Sequence, residues 1–180
     1  PTLCDPNPKE TDMTISMYQA SAPRITNALN NLGIVLEKAQ AYVDAKKLDE
    51  SALTRFRLYP DMLNMTRQVQ IACDAAKGVM ARLAGVEIPA DVDDEETIAA
   101  LRARIAKTVA FIQTFKPEQI DGTEDKDIVT RRGEKETHYK GMQFLLGHAL
   151  PNVYFHCTTT FCILRHNGVE IGKRDYLGNP

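Results

Sequence analysis

Three polar side chains with the spacing of one helical face stand in the last long apolar segment of the chain. His148, Asn152 and His156 follow one another at four-residue intervals, so each lies only about 40° around an α-helix from the one before it. Their neighbours are largely apolar and include Val153 and Phe155. Two imidazoles and an amide on such a face indicate a polar pocket, and imidazole is well suited to acid/base chemistry near neutral pH.

Two other interpretations of this polar face stay open. A buried histidine is often a hydrogen-bonding group of the core, satisfied by a neighbour. The pattern H-x-x-x-H on a helix brings two imidazoles to one zinc or nickel ion, but here the pair reads Asn152 and His156, and a neutral amide is a poor ligand for such metals. His148 and His156 lie about 12 Å apart along an ideal helix, and Pro151 between them predicts a kink or a new helix start.

The composition of the chain narrows the class of protein. It has 180 residues, 43% apolar and 26% charged, with a net charge of −2. These values are typical of one folded domain and exclude a disordered or collagen-like chain. The balanced charge and the lack of a basic stretch argue against nucleic acid as a partner. No apolar stretch approaches the ~18 residues of a membrane span, so no membrane partner is expected.

The N-terminus and the cysteines suggest the setting in which the chain works. Residues 1–13 are polar and proline-rich, and we predict a disordered N-terminal arm ahead of one helical domain over residues 14–180. The four cysteines form no C-x-x-C pair, and Cys157 and Cys162 lie five apart on one segment, where they point in different directions. This pattern argues against a disulfide framework and favours a reducing, cytoplasmic location.

Four long segments carry the three-and-four spacing of apolar residues that predicts amphipathic helices. They cover about Thr14–Lys46, Pro60–Leu83, the acidic run 93–96 to a stop at Pro117, and Met142–His166. Pro23 predicts a kink in the first segment or its true start. Gly85 and the pair Asn167-Gly168 are typical helix ends, because these residues accept a left-handed backbone.

Two insertions separate these segments. Residues 47–59 form a crossover, and residues 127–139 alternate on either side of Gly133-Glu134, which is typical of a two-stranded hairpin. A lone hairpin is marginally stable in water, so it must pack on the helices or on a second subunit. We therefore predict an all-α fold, a four-helix bundle with a small β-hairpin inserted before the last helix.

The order of these elements and several local motifs resemble the DinB/YfiT-like superfamily of helical bundles. The motifs are PDMLNMTRQVQIACDAAKG, RLAG, LLGHALPNVYFH, ILRHNGV and HNGVEIGKRDYLG. They fall between about Thr14 and Gly178 and are most similar to an uncharacterised family, a domain of unknown function, within that superfamily. The resemblance implies an up-down-down-up bundle, frequently paired into a homodimer, with a pocket at one end.

The resemblance also implies a metal site, which this chain keeps only in part. Many DinB-like proteins hold a divalent metal through three histidines, one on the second helix and an H-x-x-x-H pair on the fourth. That pair falls on Asn152 and His156, and the second segment contains no histidine, so Asp61 or Gln68 stands in the corresponding place. We expect a degenerate site, with no metal and no other cofactor.

Two classes of function follow and stay open. In the first, the chain is an enzyme acting on a small molecule, with His156 as acid/base, Asp61 orienting it and His148 as a further catalytic group. The candidate ligand-binding residues are Asn152, Gln68, Tyr18 and Tyr154. In the second, the chain is a non-catalytic dimeric ligand-binding or interaction protein. The resemblance adds a third candidate, a weakly metal-dependent hydrolase or transferase.

Overall fold

Four long helical stretches joined by shorter elements make up residues 14–178, the part of the chain that the computed structural model describes. The helices are α1 Met17–Lys46, α2 Ser51–Thr54, α3 Met65–Ala84, α4 Ile98–Gln113, α5 Pro117–Ile120, α6 Gly141–Phe144, α7 Leu150–His166 and α8 Lys173–Leu177. The strands are β1 Asp127–Arg132 and β2 Lys135–Lys140, and a π-helical turn, Leu145–Ala149, joins α6 to α7. The predicted N-terminal arm lies outside the described residues.

The long helices pack as a ring in which α1 and α3 each contact both α4 and α7. Their apolar faces meet in one core, where side chains such as Leu29, Leu36, Met80 and Leu101 are fully buried. The predicted all-α bundle with a hairpin before the last long helix is confirmed. Within residues 14–178, no helix combines the length and the apolar character that crossing a membrane requires.

Side-chain caps set where the helices begin. The Ser16 hydroxyl accepts a hydrogen bond from the Gln19 N–H at 3.2 Å ahead of α1, and the Thr97 hydroxyl accepts one from the Ala100 N–H at 3.1 Å ahead of α4. Such caps satisfy backbone donors that the first turn leaves free. The sequence predictions placed both starts a few residues too early, and Pro23 lies inside α1 without ending it.

Helix α3 also begins later than predicted, which leaves Asp61 outside it. The Asn64 side chain accepts a hydrogen bond from the Arg67 N–H at 3.0 Å, and Asp61 lies in an exposed turn ahead of that cap. The prediction that Pro60 and Asp61 open the helix was wrong: both lie in a turn, and the helical hydrogen bonds start only after Asn64, whose side chain satisfies a first-turn donor. The predicted end was right, since Gly85 takes the left-handed backbone with φ of +75°.

A π-helical turn accommodates the proline of the last long helix. The N–H of Leu150 bonds to the carbonyl of Leu145, one residue further back than in an α-helix. Pro151 follows at once, and because it has no N–H it donates no hydrogen bond to the preceding turn. The predicted interruption at Pro151 thus takes the form of one wide turn in a continuous helical stretch.

The hairpin forms as predicted and packs on the bundle. Its strands pair antiparallel with Ile128 opposite Tyr139 and Thr130 opposite Thr137, and Gly133 opens the turn with φ of +61°. Exposure alternates along the strands, and Ile128 is buried against the core. One face of the hairpin therefore lies against the helices, and this is the packing that a marginal two-stranded sheet needs.

A network of ion pairs fixes the linker between α3 and α4. Asp91, Asp93 and Glu95 of the linker bind Lys77 on α3 and Arg104 on α4. The buried Lys77 ammonium group also donates to the carbonyl of Pro89 at 3.1 Å. The linker has no regular secondary structure. These charged contacts therefore hold it against α3 and α4, whereas the helices are held together by apolar packing.

We expect Asp91→Asn to lower the free energy of unfolding at pH 7 by about 2 kcal/mol. Hydrogen bonds from Lys107 and Lys77 hold the pKa of Asp91 at about 2, below the ordinary 3.8. Because the folded-state pKa is the lower one, the carboxylate stabilises the fold above about pH 4 and loses this contribution as the pH falls towards about 2. Urea denaturation from pH 7 down to about pH 3 measures both effects.

The matched control is Asp94→Asn, since Asp94 lies in the same linker with its side chain exposed. It should leave stability nearly unchanged, and the difference between wild type and Asp91→Asn should shrink as the pH falls. Equal losses in the two variants would contradict the account of the linker.

Candidate functional site

A partly open groove of about 630 Å³ runs between α3 and α7, and the hairpin lines one end of it. The two helices are antiparallel along this groove, because Gln68 meets His156 at one end while Arg82 lies over the Phe144 ring, 6.0 Å from its centroid, at the other. Apolar side chains of α3, Ile71 among them, form one wall. The groove is thus elongated, with a helix end and a hairpin end.

The structure brings His148, Asn152 and His156 into this one groove. Their exposure falls along the helix: His148 is exposed and Asn152 half-buried, while His156 is 8% exposed. His148 lies at the hairpin end, with the rings of Tyr139 and Phe144 5.4 and 5.9 Å from its own. The π-helical turn interrupts the regular steps of an α-helix here, so the two histidines occupy different environments.

His156 is bound to Gln68 in the buried contact between α3 and α7. The imidazole Nδ1 lies 2.7 Å from the Gln68 side-chain oxygen, and Gln68 is 2% exposed. Gln68 in turn donates from its Nε2 to the carbonyl of Leu63 at 3.2 Å. Nδ1 of His156 and both polar atoms of the Gln68 amide therefore have partners, as burial requires.

These contacts fix the tautomer of the imidazole. The Leu63 carbonyl can only accept, so it must face the NH₂ group of Gln68, and the amide oxygen then faces His156. A carbonyl oxygen needs a donor, and Nδ1 of the neutral ring therefore carries the proton. The lone pair of the ring lies on Nε2.

The environment keeps this imidazole neutral and its lone pair accessible. Burial lowers the pKa of His156 below the ordinary value of 6.5, so the ring is uncharged at pH 7. Within residues 14–178, Nε2 has no hydrogen-bond partner, and it is accessible to solvent. The site therefore offers a neutral imidazole nitrogen to a molecule in the groove.

The nearby cysteines are not alternative nucleophiles. Cys73 and Cys157 are buried in the core, and burial raises the pKa of both thiols to about 12. A thiol with such a pKa is almost entirely protonated at neutral pH and is a poor nucleophile. Both cysteines act as small packing residues.

The other predicted site residues do not line the groove. Asp61 is exposed in the turn before α3, and Gln68 takes the place beside His156 that the sequence analysis gave to Asp61. Tyr18 lies near the start of α1, where its backbone N–H donates to Asp121 at 2.7 Å. Tyr154 is on the exposed side of α7, turned from the groove by its position two residues from His156.

The sequence analysis missed the charged residues at the hairpin end. Arg82 comes from α3 and Arg131 and Lys135 come from the hairpin, and all three line the groove. Two signals could have pointed to them. Gly78 stands unexpectedly inside α3, and the alternation of the hairpin places Lys135 on the same face as Tyr139.

The residues present do not fit the metal site that the resemblance to DinB-like proteins implies. Within residues 14–178, no group of three or more histidine, cysteine or acidic side chains is placed to hold a metal ion. Gln68 and Asn152 offer amides where a transition metal needs imidazole or carboxylate ligands. Nδ1 of His156 is already bound to Gln68, which leaves one ring nitrogen.

Comparison with solved structures places the fold in a known class. The chain is similar to a crystal structure of a DinB family member protein from Shewanella denitrificans, with a TM-score of 0.85 and 41% sequence identity. The similarity covers 91% of this chain and 92% of that chain. The fold is therefore a DinB-like helical bundle, as the motifs of the sequence indicated.

The family follows from a match over nearly all the described residues. The model of the family described as Domain of unknown function (DUF1993) matches residues 17–177, and the chain belongs to that family. No relative is found among the curated proteins. The function must therefore be argued from the groove itself.

We expect the pKa of His156 to lie below 6.5, and we expect Gln68→Glu to raise it by about one unit or more. In the wild type, burial opposes the charged ring and the amide adds no charge. In the variant, a carboxylate beside Nδ1 favours the protonated ring. The pH dependence of the His156 Hε1 resonance measures both values. A wild-type pKa at or above 6.5, or no rise in the variant, would contradict the assigned environment.

We expect the wild type to bind no zinc stoichiometrically, and we expect Asn152→His to create zinc affinity. The new imidazole restores H-x-x-x-H on α7, and adding Gln68→His supplies a third ligand from α3, so the double variant should bind more tightly than the single one. Calorimetric titration measures the affinities, and His156→Gln in the Asn152→His background should remove the gain. Tight binding of one zinc by the wild type, lost in His156→Gln, would show that the ancestral site persists.

Proposed function

We propose that the chain is an enzyme that acts on a small molecule, with His156 as a general base and no metal in the reaction. The observation that carries the proposal is the hydrogen bond between His156 Nδ1 and Gln68. It orients the ring and fixes its tautomer. The other ring nitrogen is left free to take a proton from a ligand in the groove.

The choice of an amide as partner suits a base that works near neutral pH. A carboxylate in this place would raise the pKa of the imidazole and favour its charged form. Gln68 holds the ring without adding charge, and burial lowers the pKa of His156. The imidazole is therefore ready to accept a proton at pH 7 without first losing one.

The dimensions of the groove support a small-molecule substrate. Its volume of about 630 Å³ falls in the range of roughly 300–1,000 Å³ that is usual for ligand pockets. Apolar side chains such as Ile71 and Val79 line part of it, and Asn152 adds a polar group between the two histidines. In this proposal His148 acts at the hairpin end as a second group that can carry a proton.

A non-catalytic ligand-binding protein is the second candidate. It is favoured by the completeness of the pair, since His156 Nδ1 and both polar atoms of the Gln68 amide already have partners without a ligand, as in a structural core histidine. Asp61, the predicted carboxylate partner, is exposed ahead of α3. The homodimer and the cytoplasmic location stay predictions that rest on the resemblance and the cysteine pattern.

We expect the wild type to turn over at least one member of a panel of hydrolase, isomerase and transferase substrates. His156→Gln should lower kcat for that substrate by about 10²–10⁴-fold. Glutamine at this position keeps a donor for Gln68 but has no basic nitrogen. The wild-type kcat/KM should fall as the pH drops through the lowered pKa of His156, because protonation removes the base.

The control for this experiment is His138→Gln, because His138 lies on the hairpin with its side chain 72% exposed. That variant should keep wild-type turnover. No turnover of any panel member by the wild type, or equal turnover by His156→Gln, would contradict the catalytic proposal and favour the binding protein.

A further inference from the structure

Arg82 is a half-buried cation with no counter-charge in the described structure. It lies on α3 at the hairpin end of the groove and also lines a smaller pocket beside the hairpin. Within residues 14–178 its guanidinium group makes no ion pair and no hydrogen bond, and it lies over the Phe144 ring, 6.0 Å from the ring centroid. Partial burial of a charge without a partner is costly, so an anion at this place would be stabilised.

The acidic residues that line the two pockets beside Arg82 are already paired with other cations; in the smaller pocket, Glu136 binds Arg131. Asp74 is the acidic residue that lines the groove, and it binds Lys77 at 3.1 Å and Arg104 at 2.9 Å. Together with the linker, it belongs to a network of four carboxylates and four cations: Asp74, Asp91, Asp93 and Glu95 with Arg67, Lys77, Arg104 and Lys107. The network is neutral as a whole, so it leaves the charge of Arg82 uncompensated.

Gly78 makes room for the Arg82 guanidinium against helix α3. A Cβ at position 78 would clash with Nη1 of Arg82. Glycine inside a helix is unfavourable compared with alanine, and at this position its absent side chain lets Arg82 fold back over the preceding turn. The guanidinium therefore lies level with Gly78 and faces the groove.

The hairpin adds a second cation to this end of the groove. Lys135 lines the groove and has no ion pair within the described residues, while Arg131 nearby is paired with Glu136 at 2.5 Å. The antiparallel register places Lys135 on the strand face that also carries Thr137 and Tyr139. The hairpin thus adds a second positive charge to the lining of the groove, four residues along β2 from Tyr139, whose ring contacts His148.

The distance between the Arg82 guanidinium and His156 sets the length of a ligand that could contact both ends of the groove. Gly78, which marks the level of the guanidinium, is ten residues from Gln68 on α3. Ten residues correspond to about 15 Å along a helix. The wall between the two ends includes the apolar side chains of Ile71 and Val79.

We propose that the groove binds an elongated anion, whose carboxylate or phosphate group is held by Arg82 and Lys135 while its other end reaches His156. A guanidinium group matches the two oxygens of such a group with paired N–H donors. The inference names the substrate class of the reaction and rests on the proposed function of His156. Anion binding can still be measured separately from catalysis, because the level of the anion site along α3 lies about 15 Å from the level of the base.

The test is a titration of the protein with inorganic phosphate, acetate and decanoate, followed by backbone amide NMR at constant ionic strength. All three anions should shift the resonances of Arg82, Lys135 and Phe144 with saturation. Decanoate should bind more tightly than acetate and also shift the His156 Hε1 resonance, followed in a parallel spectrum, because its alkyl chain lies along the apolar wall. A comparison of the affinities for phosphate and for acetate shows whether the site prefers a phosphate group or a carboxylate.

Variants separate this inference from the catalytic proposal. Arg82→Gln should weaken binding of the preferred anion by about tenfold or more, and Arg165→Gln, an exposed arginine on α7, should leave it unchanged. Gly78→Ala should weaken binding while Arg82 and the fold are kept, since the methyl group displaces the guanidinium. His156→Gln should leave phosphate binding unchanged, so a loss of turnover in that variant concerns the base alone.

The inference is overturned if none of the three anions binds with saturation, or if Arg82→Gln binds them as the wild type does. Anion binding at Arg82 without turnover of any substrate would leave the anion site standing and would contradict the enzyme. Turnover that depends on His156, without anion binding at Arg82, would keep the enzyme and contradict the anion site.

Discussion

The buried hydrogen bond between Gln68 and His156 is the constraint around which the α3–α7 contact is built. Two polar side chains in an apolar contact must satisfy each other, because each would otherwise lose its hydrogen bonds to water without compensation. The pair sets the register of the two helices at one end of the groove. Gln68 is itself held by the carbonyl of Leu63, just ahead of the Asn64 cap that begins α3.

Two further features shape the groove, the π-helical turn and the ionic network of the linker, and neither is required to form a helical bundle. The π-helical turn ahead of Pro151 separates His148 from the regular face of α7 and leaves it beside the hairpin. The ionic network of the linker neutralises Asp74 and leaves Arg82 as an uncompensated charge. Both features cost stability in isolation, and both shape the same cavity. Such local departures from regular structure are typical of functional sites.

The bundle and the hairpin could be predicted from the sequence because apolar spacing and the turn at Gly133 are local signals. Helical spacing predicted one face for His148, Asn152 and His156, and the groove contains all three, although the π-helical turn displaces His148 from the regular face of α7. The partner of His156 could not be predicted in this way, since Asp61 and Gln68 were equally placed in sequence and the Asn64 cap decided between them. Gly78 inside α3 and the alternation of the hairpin hint at the charged end of the groove, but the environment of Arg82 depends on contacts between α3, α6 and the hairpin, which are distant in the sequence.

The central claim is that His156 presents a lone pair on Nε2 to the groove because the Gln68 side-chain oxygen accepts a hydrogen bond from the Nδ1–H group. Neutron diffraction from crystals of the deuterated protein at pH 7 locates these hydrogens directly. The account predicts a deuteron on Nδ1, directed at the Gln68 oxygen, and none on Nε2. A deuteron on Nε2, with or without one on Nδ1, would contradict it, because the imidazole would then have no base to offer to a ligand.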